Sequence, residues 1–122
     1  MPDLINSLDQ VIERINAFNA SANKRIIIGI VGKPGAGKST LTEHILNNLP
    51  KGVATIVPMD GYHLSNSQLA RLGLADRKGA PNTFDSEGYV NLLRRLRNDI
   101  DKDVYFPVFH REIEESYAAD GV

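Results

Sequence analysis

The longest apolar run in the chain is Ile26-Ile27-Ile28-Gly29-Ile30-Val31, which predicts a fully buried β-strand. Residues 53–57, Val-Ala-Thr-Ile-Val, predict a second buried strand. Between them, residues 40–49 carry apolar side chains at positions 41, 45, 46 and 49, a spacing that is typical of a helix. A strand, a helix and a strand in this order predict a right-handed crossover and a parallel sheet.

A leading helix is predicted over residues 1–21, because apolar residues recur there at helical spacing with charged residues between them. We expect this helix to pack on the sheet, and partner binding through its apolar face is the alternative. Residues 65–72 predict a short helix with Ser65 as its N-cap. Residues 73–82 form a basic loop that contains glycine and proline.

A longer helix is predicted from Asp85 or Ser86, either of which can cap it, to about Asn98. Residues 104–109 are expected to be extended, and residues 112–117 to form a solvated turn or a short helix. The apolar side chains expected to face inward on the longer helix are Val90, Leu92, Leu93 and Leu96.

The strongest chemical signal is Gly-Lys-Pro-Gly-Ala-Gly-Lys-Ser over residues 32–39, called the phosphate loop below. It matches G-x-x-x-x-G-K-[ST], the Walker A motif, and it lies between a predicted strand and a predicted helix, as that motif requires. The alternative is a glycine turn without a ligand. The residues expected to bind nucleotide are Gly32, Lys33, Pro34, Gly35, Ala36, Gly37, Lys38, Ser39 and Thr40.

The residue types of the phosphate loop suit a triphosphate, which must be met by many hydrogen-bond donors at once. Gly32, Gly35 and Gly37 allow the backbone to wrap closely, and the following helix directs its free N–H groups and its positive dipole end at the phosphates. Lys38 adds a full positive charge, and the Ser39 hydroxyl can bind a Mg²⁺ ion.

Asp60 directly follows the second predicted strand. Ligands of open parallel sheets lie beyond the carboxyl ends of the strands, so Asp60 is expected on the same edge as the phosphate loop. Its carboxylate could bind Mg²⁺ or accept a proton from an attacking hydroxyl. The alternative is that Asp60 caps the next turn, with Gly61 supplying an unusual φ angle.

Composition narrows the class of protein. The 122 residues suit one domain, and 14 basic against 15 acidic residues give a net charge of −1, which does not indicate a nucleic-acid partner. The absence of cysteine excludes disulfides and thiolate metal sites. The longest apolar run is too short to cross a membrane, and the first residues lack the features of a signal peptide. We therefore expect a cytoplasmic protein without membrane partners.

Several blocks together carry a family resemblance. They are Val-Pro-Met-Asp-Gly-Tyr-His-Leu at 57–64, Leu-Gly at 72–73, Arg-Lys-Gly-Ala-Pro-Asn-Thr-Phe-Asp at 77–85, and Tyr-Phe-Pro-Val-Phe at 105–109. With the phosphate loop, they resemble the P-loop kinases grouped with bacterial pantothenate kinase, uridine kinase and phosphoribulokinase, closest to the fructose-transport-system kinase-like branch. The resemblance implies an α/β fold of the P-loop NTPase type, with three layers and a parallel sheet. It also implies ATP- and Mg²⁺-dependent transfer of the γ-phosphate to a hydroxyl of a small metabolite.

The resemblance also implies roles for individual residues. It makes Asp60 the catalytic carboxylate. From the residues themselves, Lys38 is expected to act with Asp60 in catalysis, and Ser39 and Asp60 are expected to hold the metal. Where close family members have Phe-Asp-Arg, this chain has Phe-His-Arg, so the acceptor stays open among pantothenate, a nucleoside, a sugar and a sugar phosphate. The histidines could instead be ordinary surface residues, and the basic pair at 77 and 78 a solvated loop. The resemblance implies a substrate pocket lined by Phe109, His110 and Arg111. The full set of expected substrate-binding residues is Tyr62, His63, Arg77, Lys78, Phe109, His110 and Arg111.

Members of this family are longer than this chain, and their strand order places a further strand between the two buried strands predicted here. We therefore expect residues 1–122 to form the N-terminal part of a P-loop kinase domain, with 1–21 as the leading helix, 25–122 as the binding core, and an incomplete sheet. A regulatory P-loop NTPase and a non-catalytic nucleotide-binding fragment are the functional alternatives. A choice between ATP and GTP, and between a monomer and a homodimer, stays open.

Overall fold

The structure is a computed structural model that describes residues 7–33, 35 and 37–122. The chain divides into two compact units, with the boundary between Ile56 and Val57. Among the residues described, no helix is long and apolar enough to cross a membrane. The helices and strands are α1 (Leu8–Ser21) and α2 (Lys38–Asn47) in the first unit, and α3 (Asn66–Leu72), α4 (Ser86–Asn98), β1 (Phe106–His110) and β2 (Glu115–Gly121) in the second.

The leading helix is confirmed over α1, and the first six residues of its predicted range lie outside the described part of the chain. It begins after Ser7, whose hydroxyl accepts a hydrogen bond from the backbone N–H of Gln10 at 3.3 Å. This side-chain cap satisfies one of the N–H groups that have no partner at the start of a helix. One side of α1 contacts α2 within the same unit.

The two buried strands predicted from the apolar runs are wrong for the described residues. Residues 25–33 and 54–58 have no regular secondary structure, and the sheet that forms elsewhere is antiparallel rather than parallel. A parallel strand obtains its hydrogen bonds from neighbouring strands, and the implied strand order places another strand between these two segments. Neither segment has a ladder partner in the described chain, and several apolar side chains stay substantially exposed: Ile27 (41%), Ile28 (47%), Val53 (49%) and Val31 (91%).

The sheet of the second unit is a hairpin in which β1 pairs antiparallel with β2. Phe109 pairs with Ser116, whereas Phe106 pairs with Gly121, so the register shifts by two residues around Pro107. Proline cannot donate to a ladder, which suits an irregularity at this position. The extended prediction for 104–109 is confirmed by β1. The prediction for 112–117 is correct only for the turn at 111–114, because β2 begins at Glu115.

The second unit has a core built on Leu92, Val104 and Phe106, against which Tyr89 and Leu96 also pack. Leu92 is 2% exposed, and the inward face of α4 therefore runs through positions 89, 92 and 96, which lie three and four residues apart. Val90 is wrong as an inward residue and is 44% exposed, because two residues span about 200° of an α-helix. Leu93 and Leu96 are half-buried.

The caps predicted for the two later helices are confirmed. The Ser65 hydroxyl accepts a hydrogen bond from the N–H of Gln68 at 3.3 Å at the start of α3. The Asp85 carboxylate accepts one from the N–H of Gly88 at 3.0 Å at the start of α4. Both bonds bridge residues three apart, which is the spacing of an N-cap contact.

The loop between α3 and α4 is closed by Thr83, whose side chain is fully buried. The Thr83 hydroxyl donates to the Ala80 carbonyl at 2.6 Å and accepts from the Gly79 N–H at 3.1 Å. A buried hydroxyl is costly unless it is hydrogen-bonded, and here it makes a bond in each direction. These contacts fix the segment that carries the predicted basic pair at 77 and 78.

Candidate functional site

The described part of the phosphate loop has the backbone conformation that its glycines allow. Gly35 has φ 81° and Gly37 has φ 90°, and Gly37 is the N-cap of α2. A side chain rarely adopts such positive φ angles, so glycine is required at both positions by conformation rather than by crowding. Pro34 and Ala36, predicted to bind nucleotide, lie outside the described residues.

The start of α2 presents donors at its surface. The first hydrogen bond within the helix runs from the Leu41 N–H to the Gly37 carbonyl at 3.0 Å. The N–H groups of Lys38, Ser39 and Thr40 precede that bond and have no acceptor within the helix, which is the general condition of a helix N-terminus. The side chains of Ser39 and Thr40 are exposed. This end of the helix therefore suits an anion.

Lys38 reaches back across the phosphate loop. Its Nζ donates to the Gly32 carbonyl at 2.5 Å, which places the ammonium group over the loop rather than away from it. A cation, several backbone donors and a helix N-terminus thus occur within one short segment of the first unit. The donor set fits a polyphosphate, because each of its groups favours negative charge.

Asp60 lies in the second unit, on a single 3₁₀ turn, Met59–Tyr62, called the Asp60 turn below. The residue is exposed, and its backbone carbonyl accepts hydrogen bonds from the His63 N–H at 3.1 Å and from His63 Nδ1 at 2.9 Å. Gly61, the next residue, is buried against the backbone of Pro107 in β1. The turn is therefore anchored by its backbone, while the predicted catalytic residue faces solvent.

Three of the predicted substrate-binding residues lie in or beside the Asp60 turn. The His63 ring contacts the rings of Phe84 and Phe109, with centroid distances of 4.1 Å and 4.8 Å. Tyr62 adjoins it in the chain and packs into the core, with its ring centroid 5.4 Å from that of Tyr89. Burial raises the pKa of both tyrosines, and the negative charge of Asp85 adds to the effect at Tyr62.

Lys78 is held by contacts within the second unit. Its Nζ donates to Asn66 Oδ1 at 2.8 Å and to the Glu114 carbonyl at 2.7 Å, and it lies 3.4 Å from the Glu114 carboxylate. The same ammonium group lies 5.4 Å from the centroid of the Phe109 ring. Lys78 therefore joins α3, the hairpin turn and the aromatic ring. Its predicted contact with substrate stays a prediction.

His110 bridges two carboxylates of its own hairpin. Its Nε2 lies 2.8 Å from Asp120 and its Nδ1 3.0 Å from Glu112, and its ring centroid is 4.1 Å from that of Tyr117. The hydrogen bond to Asp120, followed by the one to Glu112, raises the pKa of His110. Glu112 accepts from its own backbone and from His110, which lowers the pKa of that carboxyl. Both ring nitrogens of His110 thus have partners within the chain.

The remaining predicted residues are arginines on exposed positions of the second unit. Arg77 ends the single turn Ala75–Arg77, and Arg111 lies in the hairpin turn directly after β1. Both side chains are exposed, as a contact with an anionic substrate group would require. Their substrate roles stay predictions.

The sequence did not single out two residues that organise this unit, Phe84 and Asp120. Phe84 pairs with His63 in an antiparallel bridge and covers one face of its ring. Phe84 lies inside the Arg-Lys-Gly-Ala-Pro-Asn-Thr-Phe-Asp block, which is the sequence signal for its importance. Asp120 reaches His110 across the hairpin, and no local pattern indicates that contact.

Comparison with known proteins identifies relatives among kinases, whereas no family model matches the sequence. A protein of Schizosaccharomyces pombe named "putative uridine kinase" is 30% identical over an alignment of 127 positions, which covers 98% of this chain and 53% of the relative. The pantothenate kinase of Streptococcus pneumoniae serotype 19F is 35% identical over 98 residues, which cover 76% of this chain and 31% of the relative. The chain spans about a third to a half of the length of these relatives.

A solved structure gives the same grouping from the fold. The crystal structure of a "putative fructose transport system kinase" from Silicibacter sp. TM1040 matches with a TM-score of 0.82 and 33% sequence identity. The match covers 96% of this chain and 57% of that one, and it supports the predicted α/β fold. By sequence and by fold, the chain is similar to kinases of the P-loop group that includes uridine kinase and pantothenate kinase, and the resemblance predicted from the sequence blocks is confirmed.

Proposed function

We propose that this chain carries phosphoryl-transfer residues of a small-molecule kinase, which moves the γ-phosphate of ATP to a hydroxyl group of a metabolite. The observation that carries the proposal is the phosphate loop, with glycines at φ 81° and 90°, Lys38 folded over it and a helix beginning at its end. The kinase names of the relatives support the reaction class. Because the chain spans only part of those relatives, the kinase activity of the whole protein is itself proposed.

The first unit supplies binding and charge stabilisation in this proposal. The N–H groups at the start of α2 donate hydrogen bonds to phosphate oxygens. The Lys38 ammonium exchanges its bond to the Gly32 carbonyl for contacts with the β- and γ-phosphates. Charge that develops on the transferring group is then met by donors that are already in place. Phosphoryl transfer depends mainly on such positioning and electrostatics.

Asp60 is proposed to accept the proton of the acceptor hydroxyl or to orient that hydroxyl. The exposed carboxylate of Asp60 and the exposed hydroxyl of Ser39 are oxygen donors of the kind that Mg²⁺ prefers. A bound Mg²⁺ would neutralise part of the negative charge of the phosphates. The described residues contain no group of three or more His, Cys, Asp or Glu side chains that could hold a metal without the nucleotide.

The acceptor is proposed to be a small metabolite that carries a hydroxyl, in the class of nucleosides, pantothenate and sugars. The exposed Arg111 and Arg77 are its proposed contacts for an anionic group, since a guanidinium binds carboxylate or phosphate with two hydrogen bonds. His110 is a weaker choice for a direct contact, because both of its nitrogens already face carboxylates of the hairpin.

The proposal is tested first by nucleotide binding. Thermal unfolding is recorded with and without Mg²⁺-ATP for the native chain, for Lys38→Ala and for Lys33→Ala, which removes a lysine from the same loop but keeps its backbone N–H. A ligand at about a hundred times its dissociation constant stabilises a protein by about 2.7 kcal/mol. We expect this shift in the native chain and in Lys33→Ala, and its loss in Lys38→Ala. Equal shifts in all three would refute a phosphate site built on Lys38.

Transfer is then measured with an acceptor panel, by following labelled γ-phosphate. Replacement of Asp60 with Asn should lower turnover by about 100-fold or more while leaving the ATP-induced thermal shift intact, because general-base catalysis commonly contributes that much. Full turnover in Asp60→Asn would contradict the assigned role. Hydrolysis of ATP at a rate that no acceptor changes would instead favour a regulatory NTPase.

A further inference from the structure

The Asp60 carbonyl is held by two donors of a single residue. It accepts from the His63 backbone N–H at 3.1 Å and from His63 Nδ1 at 2.9 Å, which uses the two lone pairs of a carbonyl oxygen. A carbonyl can only accept, so the second bond requires a proton on Nδ1. In the neutral ring, Nε2 is then an acceptor rather than a donor.

The His63 ring cannot swing freely away from this bond. Phe84 and Phe109 cover it at centroid distances of 4.1 Å and 4.8 Å, with interplanar angles of 40° and 32°. The backbone on either side is also fixed, because Leu64 donates to the Thr83 carbonyl at 2.8 Å and Asp85 donates to the Tyr62 carbonyl at 2.7 Å. The imidazole therefore already has a restricted rotamer before any ligand binds.

A third anchor lies on the other side of the same turn. Gly61 packs so closely against β1 that a Cβ there would lie 2.8 Å from the carbonyl carbon of Pro107. Asp60 itself is exposed. Its main chain is thus constrained by His63 and by the glycine contact, whereas its carboxylate has room to meet a substrate.

We propose that His63 is a positioning residue, which fixes the Asp60 turn through its Nδ1–H bond to the Asp60 carbonyl while Phe84 and Phe109 hold its ring. This inference rests on the proposed role of Asp60 as the group that handles the acceptor hydroxyl. His63 acts through Asp60 and makes no contact with substrate. The value of such positioning lies in geometry, since a displacement of 1 Å in an active site can cost about 100-fold in rate.

Three variants separate this role from a direct contact. The side-chain amide of His63→Asn places an N–H near the position of Nδ1, that of His63→Gln places it near Nε2, and His63→Phe keeps an aromatic ring without a donor. We expect kcat to fall by about 10- to 100-fold in His63→Phe and His63→Gln, with an unchanged KM for the acceptor, and to recover largely in His63→Asn. Thermal unfolding of each variant shows whether it is folded.

The opposite pattern would overturn the proposal. Recovery in His63→Gln but not in His63→Asn, with a raised KM for the acceptor, would mean that Nε2 contacts the substrate. Equal kcat in the native chain and all three variants would mean that the bond to Asp60 is not needed. If kcat were as low in His63→Asn as in His63→Gln, the aromatic ring rather than the hydrogen-bond donor would be the important feature. That result would also overturn the proposal.

A measurement without turnover keeps this proposal separate from the proposed function. Nitrogen-15 NMR of the native chain reports which ring nitrogen of His63 carries the proton, and we expect Nδ1. A proton on Nε2 would overturn the inference, whatever the activity. If the native chain transfers no phosphate to any acceptor, the proposed function fails by that control alone. Two measurements then still decide whether the His63 ring holds the turn: the tautomer of His63 in the native chain, and the hydrogen exchange of the backbone amide at position 63 in His63→Phe compared with the native chain.

Discussion

Replacing Thr83 with valine should destabilise the second unit through the loss of one hydroxyl. Valine keeps the branched shape of threonine, so packing volume changes little. It removes the 2.6 Å bond to the Ala80 carbonyl and the 3.1 Å bond from the Gly79 N–H. The Thr83 side chain is fully buried, so no water replaces the hydroxyl at that place.

The expected size follows from these two bonds. A hydrogen bond contributes about 0.5–1.5 kcal/mol net, so the loss of two should cost about 1–3 kcal/mol. The Ala80 carbonyl keeps its bond from the Thr83 N–H at 2.9 Å, and Gly79 is exposed to solvent, which favours the middle of that range rather than its upper end. At about 2.1 cal/mol/K per residue of unfolding entropy, a cost of about 2 kcal/mol lowers the Tm of a chain of this size by about 8 °C.

The assay is chemical and thermal unfolding followed by circular dichroism, with Thr83→Ser as the matched control. Serine keeps the hydroxyl and loses one methyl group, which is worth about 0.8 kcal/mol. Hydrogen exchange at the Gly79 amide provides a local check and should accelerate in Thr83→Val but not in Thr83→Ser. If serine destabilised the protein more than valine, the methyl group rather than the hydroxyl would be what holds this loop, and the reasoning would be refuted.

Three further predictions concern single contacts of the second unit. Gly61→Ala should cost about 1–3 kcal/mol in unfolding free energy, because the added Cβ meets the rigid backbone of Pro107; an unchanged denaturation midpoint would contradict the close packing. The pKa of His110 is raised by Asp120, so the stabilisation that Asp120 provides should be fully present below about pH 6.5 and should be lost as pH rises through the higher folded-state pKa. The stability difference between the native chain and Asp120→Asn should therefore shrink from pH 6 to pH 9, and a difference that grows over this range would contradict the sign. Lys78→Met keeps an apolar stem but removes all polar contacts of the ammonium group, and unfolding should become easier by about 1 kcal/mol, whereas Lys51→Met at an exposed site should have little effect.

The features that the sequence predicted well are those whose cause lies within a few residues. Ser65 and Asp85 cap their helices by binding an N–H three positions later, so the pattern and the contact share the same short segment. The phosphate loop is equally local, since its glycines and Lys38 act within a span of eight residues. Short-range signals of this kind predict the local structure correctly, because they do not depend on contacts with distant parts of the chain.

The predictions that were wrong depend on partners that are distant in sequence. The run at 26–31 has the composition of a buried strand, but a strand also needs a neighbour, and composition does not supply one. Val90 is apolar but faces outward, and the core contact at that turn is made by Tyr89.

The candidate site divides in the same way. Asp60 and His63 could be selected from their motif, but the two aromatic rings around His63 come from residues 84 and 109, which the fold brings together. The pairing of His110 with Asp120 joins residues on opposite strands of the hairpin, and no periodic pattern encodes it. Sequence reasoning thus identified residues with reactive groups and missed the contacts that orient them.

The exposed apolar segment at 26–31 has a consequence for how the protein behaves in solution. It contains six consecutive uncharged residues without proline, and five of them are β-branched residues with high β-propensity. Two of its isoleucines are more than 40% exposed. Segments with this composition are those from which cross-β aggregates grow when nothing covers them. Aggregation of this chain should accordingly rise steeply with concentration, and a single lysine in place of Ile28 should slow it.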